Sequence, residues 1–325
     1  MLIKPSRPVR GGQDSYCYLS ELSPKDKPWD IHRAEAESVM YLYRAIEYAG
    51  YADRMQKCSQ RLLFWLQTCD DHQLRCRLFS ARFCRVRHCP VCQWRKTLMW
   101  RARFFTAVPR LLEDYPTARF VFLTLTVRNC AIAELKTTIT FMNQAWKRLV
   151  ERKVFPAEGF IKSVEVTRNQ KDGSAHPHFH CLLMVPSNYF GRNYINQSEW
   201  TELWKSCLRI NYTPVVNVKA IRPKKNINDS HEALMISLCE TLKYTVKPET
   251  LLSDGQWLGE LTRQLHNTRS VAVGGIFKKY ISDDEPEDLI HADDENSDED
   301  ELDEHDKLIF DWASDIKRYV RNTKL

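Results

Sequence analysis

The tightest constraint on this chain is the run His176-Pro177-His178-Phe179-His180, which continues into the apolar Cys181-Leu182-Leu183-Met184-Val185. Side chains alternate sides along an extended strand, so the three imidazoles share one face while Pro177 and Phe179 turn to the other. Three histidines on one face make a poor core. They make a good divalent-metal platform, because neutral imidazole ligates Mn, Zn, Fe and Ni. Upstream, Gly159 to Thr167 reads as a second strand, and Asn169-Gln170-Lys171-Asp172-Gly173 carries a turn signal between the two. The pair is expected to form an antiparallel hairpin. Glu165 on the first strand then has a carboxylate within reach of the histidine face, with a surface ion pair as the equal alternative.

A second cluster precedes this one. Cys89-Pro90-Val91-Cys92 has the spacing of a zinc knuckle, in which one tight turn supplies two thiolates. Cys84 is a plausible third ligand. For the fourth, Cys69, Cys76, His72 and His88 remain open, since spacing does not decide among them. Eleven cysteines in a chain expected in a reducing compartment point to metal or buried thiols rather than disulfides. The first 30 residues are polar and broken by Pro5, Pro8, Pro24 and Pro28, and no run approaches the roughly 18 apolar residues that cross a membrane. A cytoplasmic protein with no membrane partner is the expectation.

The order of elements follows from periodicity. Residues 1–30 read as a flexible arm, and 31–115 as a helical and Cys-rich zinc-binding region. Within it a helix begins at Ile31 and ends near Gly50, strands cover Arg61–Gln67 and Leu74–Phe83, and a helix runs from Gln93 to Leu112. Residues 116–280 read as the catalytic domain. Its strongest strand is Arg119–Arg128, followed by a helix over Ala131–Glu151 and the hairpin. A helix over Gln197–Ile210 capped by Ser198, a strand over Thr213–Ile221, a helix over Ser230–Thr245 and a short helix over Asp254–Leu265 complete it. This β-α-β-β-α-β-α order predicts an α+β fold, with a ferredoxin-like sheet of four antiparallel strands flanked by helices. Residues 281–306 read as an acidic disordered linker, and 307–325 as an amphipathic helix built on Ile309, Phe310, Trp312, Ala313, Ile316 and Val320.

Charge points to the partner. Asp283 to Asp306 holds 15 acidic side chains and no Lys or Arg, so the chain's net +6 conceals a remainder near +21. A body that basic suits a polyanion, most simply nucleic acid. Arg95, Lys96 and Arg101 on the Gln93 helix suit a phosphate backbone, and equally a solvated face with snorkelling stems. Arg128 and Lys243 join them as candidate contacts.

Glu240 and Tyr244 lie four apart on the predicted Ser230 helix, so they share a face, with Lys243 and Lys247 as a second such pair. A phenol with its ordinary pKa near 10 is a poor nucleophile. It becomes a useful one where a metal holds the electrophile and a cation favours the phenolate, and a phosphodiester is such an electrophile. A core tyrosine is the commoner fate.

Three blocks now resemble one family, the replication initiators of small rolling-circle plasmids within the HUH endonucleases. They are Phe122-Leu123-Thr124-Leu125-Thr126, His176-Pro177-His178-Phe179-His180, and Glu240 through Lys247. The segment from Phe83 to Arg95 resembles the cysteine-rich stretch of one branch. The resemblance implies that Tyr244 cuts one DNA strand at the plasmid origin and keeps a 5′-phosphotyrosine. It implies that His178 and His180 hold Mn2+ or Mg2+, with His176 or Glu165 as a further ligand, and that Zn2+ sits in the cysteine cluster. It implies that Glu240 activates water at termination, and that Lys247 contacts the scissile phosphate or steadies the phenolate. Origin DNA, single-stranded or as an extruded hairpin, host helicase and replication proteins, and a second copy of the chain are the partners implied. A transposase or mobilisation relaxase uses similar motifs, but Tyr244 has no companion tyrosine on its helix. A non-enzymatic zinc-containing DNA-binding regulator, or a metal-dependent hydrolase, is the rival from another class.

Overall fold

The computed structural model describes residues 17–68, 74–221, 248–252, 254–282, 289–290 and 307–322. The predicted helix over Ser230–Thr245 and the turn at Cys69–His72 lie outside them.

Two antiparallel sheets organise the described residues. The larger comprises β3 (Arg119–Thr126), β4 (Gly159–Arg168), β5 (Ala175–Val185), β6 (Val216–Ile221) and β7 (Val271–Gly275), in the order β6-β3-β5-β4-β7. Its first four strands have the ferredoxin-like arrangement that the element order predicts. The fifth, β7, adds an edge strand beside β4. The smaller sheet comprises β1 (Arg61–Thr68), β2 (Leu74–Ala81), β8 (Lys307–Ala313) and β9 (Arg318–Arg321), in the order β2-β1-β8-β9.

Helices cover the sheets unequally, and that places the site. One face of the large sheet carries Leu123, Leu125, Val164, Phe179 and Leu183. It packs on α5 (Leu135–Val150) and α6 (Gln197–Leu208), whose Met142, Trp146, Trp200 and Trp204 are buried in the same core. On the opposite face, Phe120, Ile161, Leu182, Met184 and Val273 pack under α4 (Pro90–Asp114) through Trp100, Phe104, Val108 and Leu111. That face is divided along β5. Leu182 and Met184 lie under the helix, and the same alternation carries His180, His178 and His176 out beyond it.

Several elements differ from their sequence-based expectations. Residues 17–30 belong to the body. A short helix α1 (Leu19–Leu22) and a 3-10 turn (Pro24–Asp26) lead into α2 (Lys27–Ala45), where Trp29 is buried. Pro24 and Pro28 occupy first-turn positions, where a missing N–H costs nothing, so they start helices instead of breaking them. Gly50 falls inside α3 (Ala49–Gln56), because α2 already ends at Ala45. Asn196, not Ser198, caps α6. Its side chain accepts the Glu199 N–H at 3.0 Å while Glu199 accepts the Asn196 N–H at 2.7 Å. Two short helices, α7 (Pro248–Leu252) and α8 (Gly255–Gln264), follow, with Asp254 capping α8.

The largest correction is at the C-terminal end. Residues 307–321 form a hairpin, not an amphipathic helix. Leu308, Phe310 and Trp312 alternate inward and Lys307, Ile309, Asp311 and Ala313 outward. β8 pairs with β1 from Arg61↔Asp311 to Trp65↔Lys307, completing a sheet begun about two hundred and fifty residues earlier. The acidic segment is also not uniformly a linker, since Leu289 is buried in the core.

Candidate functional site

The hairpin register puts Glu165 opposite His178, with Ser163 opposite His180 and Thr167 opposite His176. Both imidazoles aim at one carboxylate oxygen. Glu165 Oε2 lies 3.2 Å from His178 Nε2 and 2.8 Å from His180 Nε2. Glu165 and His178 are buried, so this is not the surface ion pair of the alternative reading. Burial disfavours the Glu165 carboxylate, but the hydrogen bonds and charges of His178 and His180 outweigh it and hold the carboxyl well below its usual range.

The far ring atoms explain the aim. His178 Nδ1–H donates to the His176 carbonyl at 3.3 Å, and His180 Nδ1 lies 3.3 Å from the Thr124 hydroxyl. The Phe122 ring stacks on His180 at 5.6 Å between centres. With Nδ1 engaged in this way, each Nε2 faces the Glu165 oxygen, and the three atoms lie within 4.8 Å of one another. Three electron-rich atoms converging in this way fit a shared cation, and their donor set of two nitrogens and a carboxylate suits Mn2+. His176 stands apart. Its Nδ1–H donates to Asn129 Oδ1 at 2.7 Å, and it is not among the converging atoms. Of the two further ligands the sequence left open, the geometry brings in Glu165. Thr124 and Asn129 hold imidazoles, and neither is legible from motif spacing. Lys219 on β6 pairs with Phe122 and puts an exposed ammonium on this same face.

The second centre joins Cys84, Cys89 and Cys92 to Cys58, a residue the sequence reading did not name. Cys58 follows α3, Cys84 follows β2, and Cys89 and Cys92 flank the first turn of α4. The sulfurs lie 3.7 Å (Cys58–Cys89), 3.7 Å (Cys58–Cys92) and 3.6 Å (Cys84–Cys92) apart. A tetrahedron of Zn–S bonds near 2.3 Å has edges of about 3.8 Å, so the four thiols fit zinc. The same distances exclude disulfides, which need about 2.05 Å. Hydrogen bonds from Cys84, Cys89 and Cys92 push the Cys58 thiol well below its usual pKa, as in a cluster that shares negative charge. Cys76 is not in the group. It sits on β2 opposite Leu66, its pKa pushed up to about 11 by burial. His88 is also outside it, with burial lowering its pKa to about 3. Cys69 lies outside the described residues.

The predicted DNA contacts divide. Arg95 is fully buried. Its guanidinium donates to the carbonyls of Leu289 at 2.8 Å and Ile290 at 2.6 Å, which corrects the reading of it as a phosphate contact. Lys96 is half-buried and Arg101 exposed on α4. Arg128 is exposed, its guanidinium 4.0 Å from the Tyr212 ring centre. Tyr244, Glu240, Lys247 and Lys243 lie outside the described residues.

The chain is similar to known proteins over most of its length. Residues 75–320 match the family model described as "Replication protein". A "Protein rep" of Streptococcus pneumoniae is 31% identical over 96% of this chain and 97% of its own length. A "Protein rep" of Bacillus amyloliquefaciens is 30% identical over 95% and 98%. A "Replication protein" of Staphylococcus aureus is 35% identical over 65% of this chain and 94% of its own. No solved structure matches significantly.

Proposed function

Because this chain belongs to the family of HUH-type plasmid replication initiators, which nick plasmid DNA, we propose that it opens and rejoins one strand at a plasmid origin by transesterification through Tyr244. The observation that carries the reading is the convergence of His178 and His180 on one Glu165 oxygen, on the part of the sheet face that α4 does not cover.

In this reading His178, His180 and Glu165 hold Mn2+ or Mg2+, which when bound supplies Lewis-acid polarisation of a phosphoryl oxygen. The Tyr244 phenolate attacks the scissile phosphorus in line. A Tyr–O–P bond forms, the P–O3′ bond breaks, and the leaving oxygen takes a proton to become a free 3′-hydroxyl. Lys247 steadies the phenolate or the phosphate. The phosphotyrosine conserves the cleavage energy for rejoining. At the end of a round Glu240 takes a proton from water as general base, which hydrolyses the remaining covalent bond. Cys58, Cys84, Cys89 and Cys92 hold Zn2+ in a structural role. A host helicase and replication proteins extend the freed 3′ end, and the origin is presented single-stranded or as an extruded hairpin.

The test incubates the protein and Mn2+ with a labelled single-stranded origin oligonucleotide. A labelled protein band that survives denaturation and is lost in Tyr244→Phe is expected. Cleavage that persists in Tyr244→Phe would overturn the tyrosine mechanism in favour of a hydrolase. Glu240→Ala is expected to nick at first and then accumulate covalent complex, and equal loss of both activities would refute its role.

A further inference from the structure

The small sheet has one face on the core and one face turned away from it. Leu62, Phe64, Leu78, Phe310 and Tyr319 point inward and are buried. On the outward face the register lines up Arg77, Trp65 and Lys307 across three strands, and Ser80, Leu63 and Ile309 in the next row. Between these rows β2 carries one residue more than β1, because Leu63 pairs with Ser80 and Phe64 with Leu78. The extra residue is Phe79, which the bulge turns outward and which is 43% exposed. Its ring lies 4.5 Å from that of Trp65, and the Lys307 ammonium lies 5.0 Å from the Trp65 ring centre. Alongside, a groove of ≈ 650 Å3 is lined by Lys57, Arg61, Leu63, Ser80 and Arg82 among others.

We infer that this outward face is a second DNA-binding surface, distinct from the metal centre, which takes single-stranded DNA by stacking a base on Phe79 and seating the backbone along the groove beside Lys57 and Arg82. The inference rests on the reading that the chain works on DNA. One observation favours it over a protein partner. Among the described residues the groove is lined by Lys57, Arg61 and Arg82 and by no carboxylate, and of the three only Arg61 is held by a carboxylate beside it, Asp311 at 2.6 Å, while Lys57 and Arg82 are exposed. The bulge also spends ladder pairing to present an aromatic ring to solvent, which a solubility surface does not need. Exposed rings interleaved with cations on an antiparallel sheet are what single strands bind to without sequence preference. A surface that holds the displaced strand would keep an opened origin from reannealing while the other site works.

The test is anisotropy of a fluorescein-labelled oligo-dT with the full chain, across a salt series and with no divalent metal added. Phe79→Ala is expected to weaken binding roughly 5- to 160-fold, and Phe79→Tyr to restore it. Lys57→Gln combined with Arg82→Gln is expected to flatten the dependence of log affinity on log salt by about 1.4. Unchanged affinity and slope would overturn the proposal. So would variants that alter the sedimentation mass while leaving DNA affinity intact, since the face would then join copies of the chain. The endonuclease reading fails separately, by absence of covalent product with the wild-type protein, and that result leaves the anisotropy comparison standing.

Discussion

Replacing Cys58 tests the cysteine centre most sharply, because Cys58 is the ligand that only the fold reveals. Its sulfur is fully buried, touches those of Cys89 and Cys92, and accepts the Cys84 N–H at 3.4 Å across a sequence gap of 26 residues. A cross-link closing a loop of that length stabilises by about 3.5 kcal/mol in the chain-entropy account, and a metal clip obeys the same logic. Cys58→Ser removes that closure while Cys84, Cys89 and Cys92 stay in place. The melting temperature is expected to fall by roughly 7–14 °C, since in domains of this size each kcal/mol shifts it about 2–4 °C. Zinc per chain, measured by elemental mass spectrometry after mild chelation, is expected to fall well below the wild-type value. Cys76→Ser is the control, because its thiol lies outside the cluster, and its zinc content is expected to match wild type. Wild-type zinc and melting in Cys58→Ser, or zinc loss in Cys76→Ser, would refute the four-sulfur assignment.

Other perturbations separate the remaining claims. Glu165→Gln is expected to weaken Mn2+ binding in calorimetry by at least about 10-fold, while His176→Ala changes it little; the reverse ranking would move the third ligand to His176. Deleting residues 307–322 removes the buried Phe310, Trp312 and Tyr319, whose burial is worth roughly 1.5–3 kcal/mol each, so the truncated chain should melt far below the full one; an unchanged melt would mean the hairpin adds nothing to the core. Burial lowers the Lys162 pKa to about 8, against 10.5 for the exposed group, although its ammonium donates to Asn143 at 2.6 Å. The unfolded chain therefore binds the extra proton between those values, and stability from this group rises with pH across about 8 to 10.5. Wild type should gain on Lys162→Met over that window in melts taken at several pH values, and a flat difference would contradict the burial.

The metal hairpin was legible because its signals are local. Alternation fixes which histidines share a face, Asp172-Gly173 fixes the turn, and the two together bring Glu165 opposite His178. Cys58 carries no such signal, because it reaches the cluster through the packing of α3 against α2 and not through a spacing rule. The run from Leu308 to Ala313 satisfied helical and strand periods alike, and only the open edge of β1 decides between them. Arg95 looked like a phosphate contact because sequence reports charge and not burial, and its donors are taken up by backbone carbonyls. β7 was missed because two of its five residues are glycines. The fold requires both, since a Cβ at Gly274 would collide with the Phe160 ring and Gly275 sits at φ 60°.

The pairing of β1 with β8 has a consequence for synthesis. A ribosome adding about 5–20 residues per second leaves β1 waiting roughly 12–50 s for its neighbour to be made. Throughout that interval a strand bearing Trp65 and Leu63 has one bare edge, a template for the wrong partner. The four sulfurs all emerge early and close together, so a captured zinc ion can clamp the nascent N-terminal half before the hairpin arrives. Starving cells of zinc during translation should therefore harm newborn chains far more than finished ones.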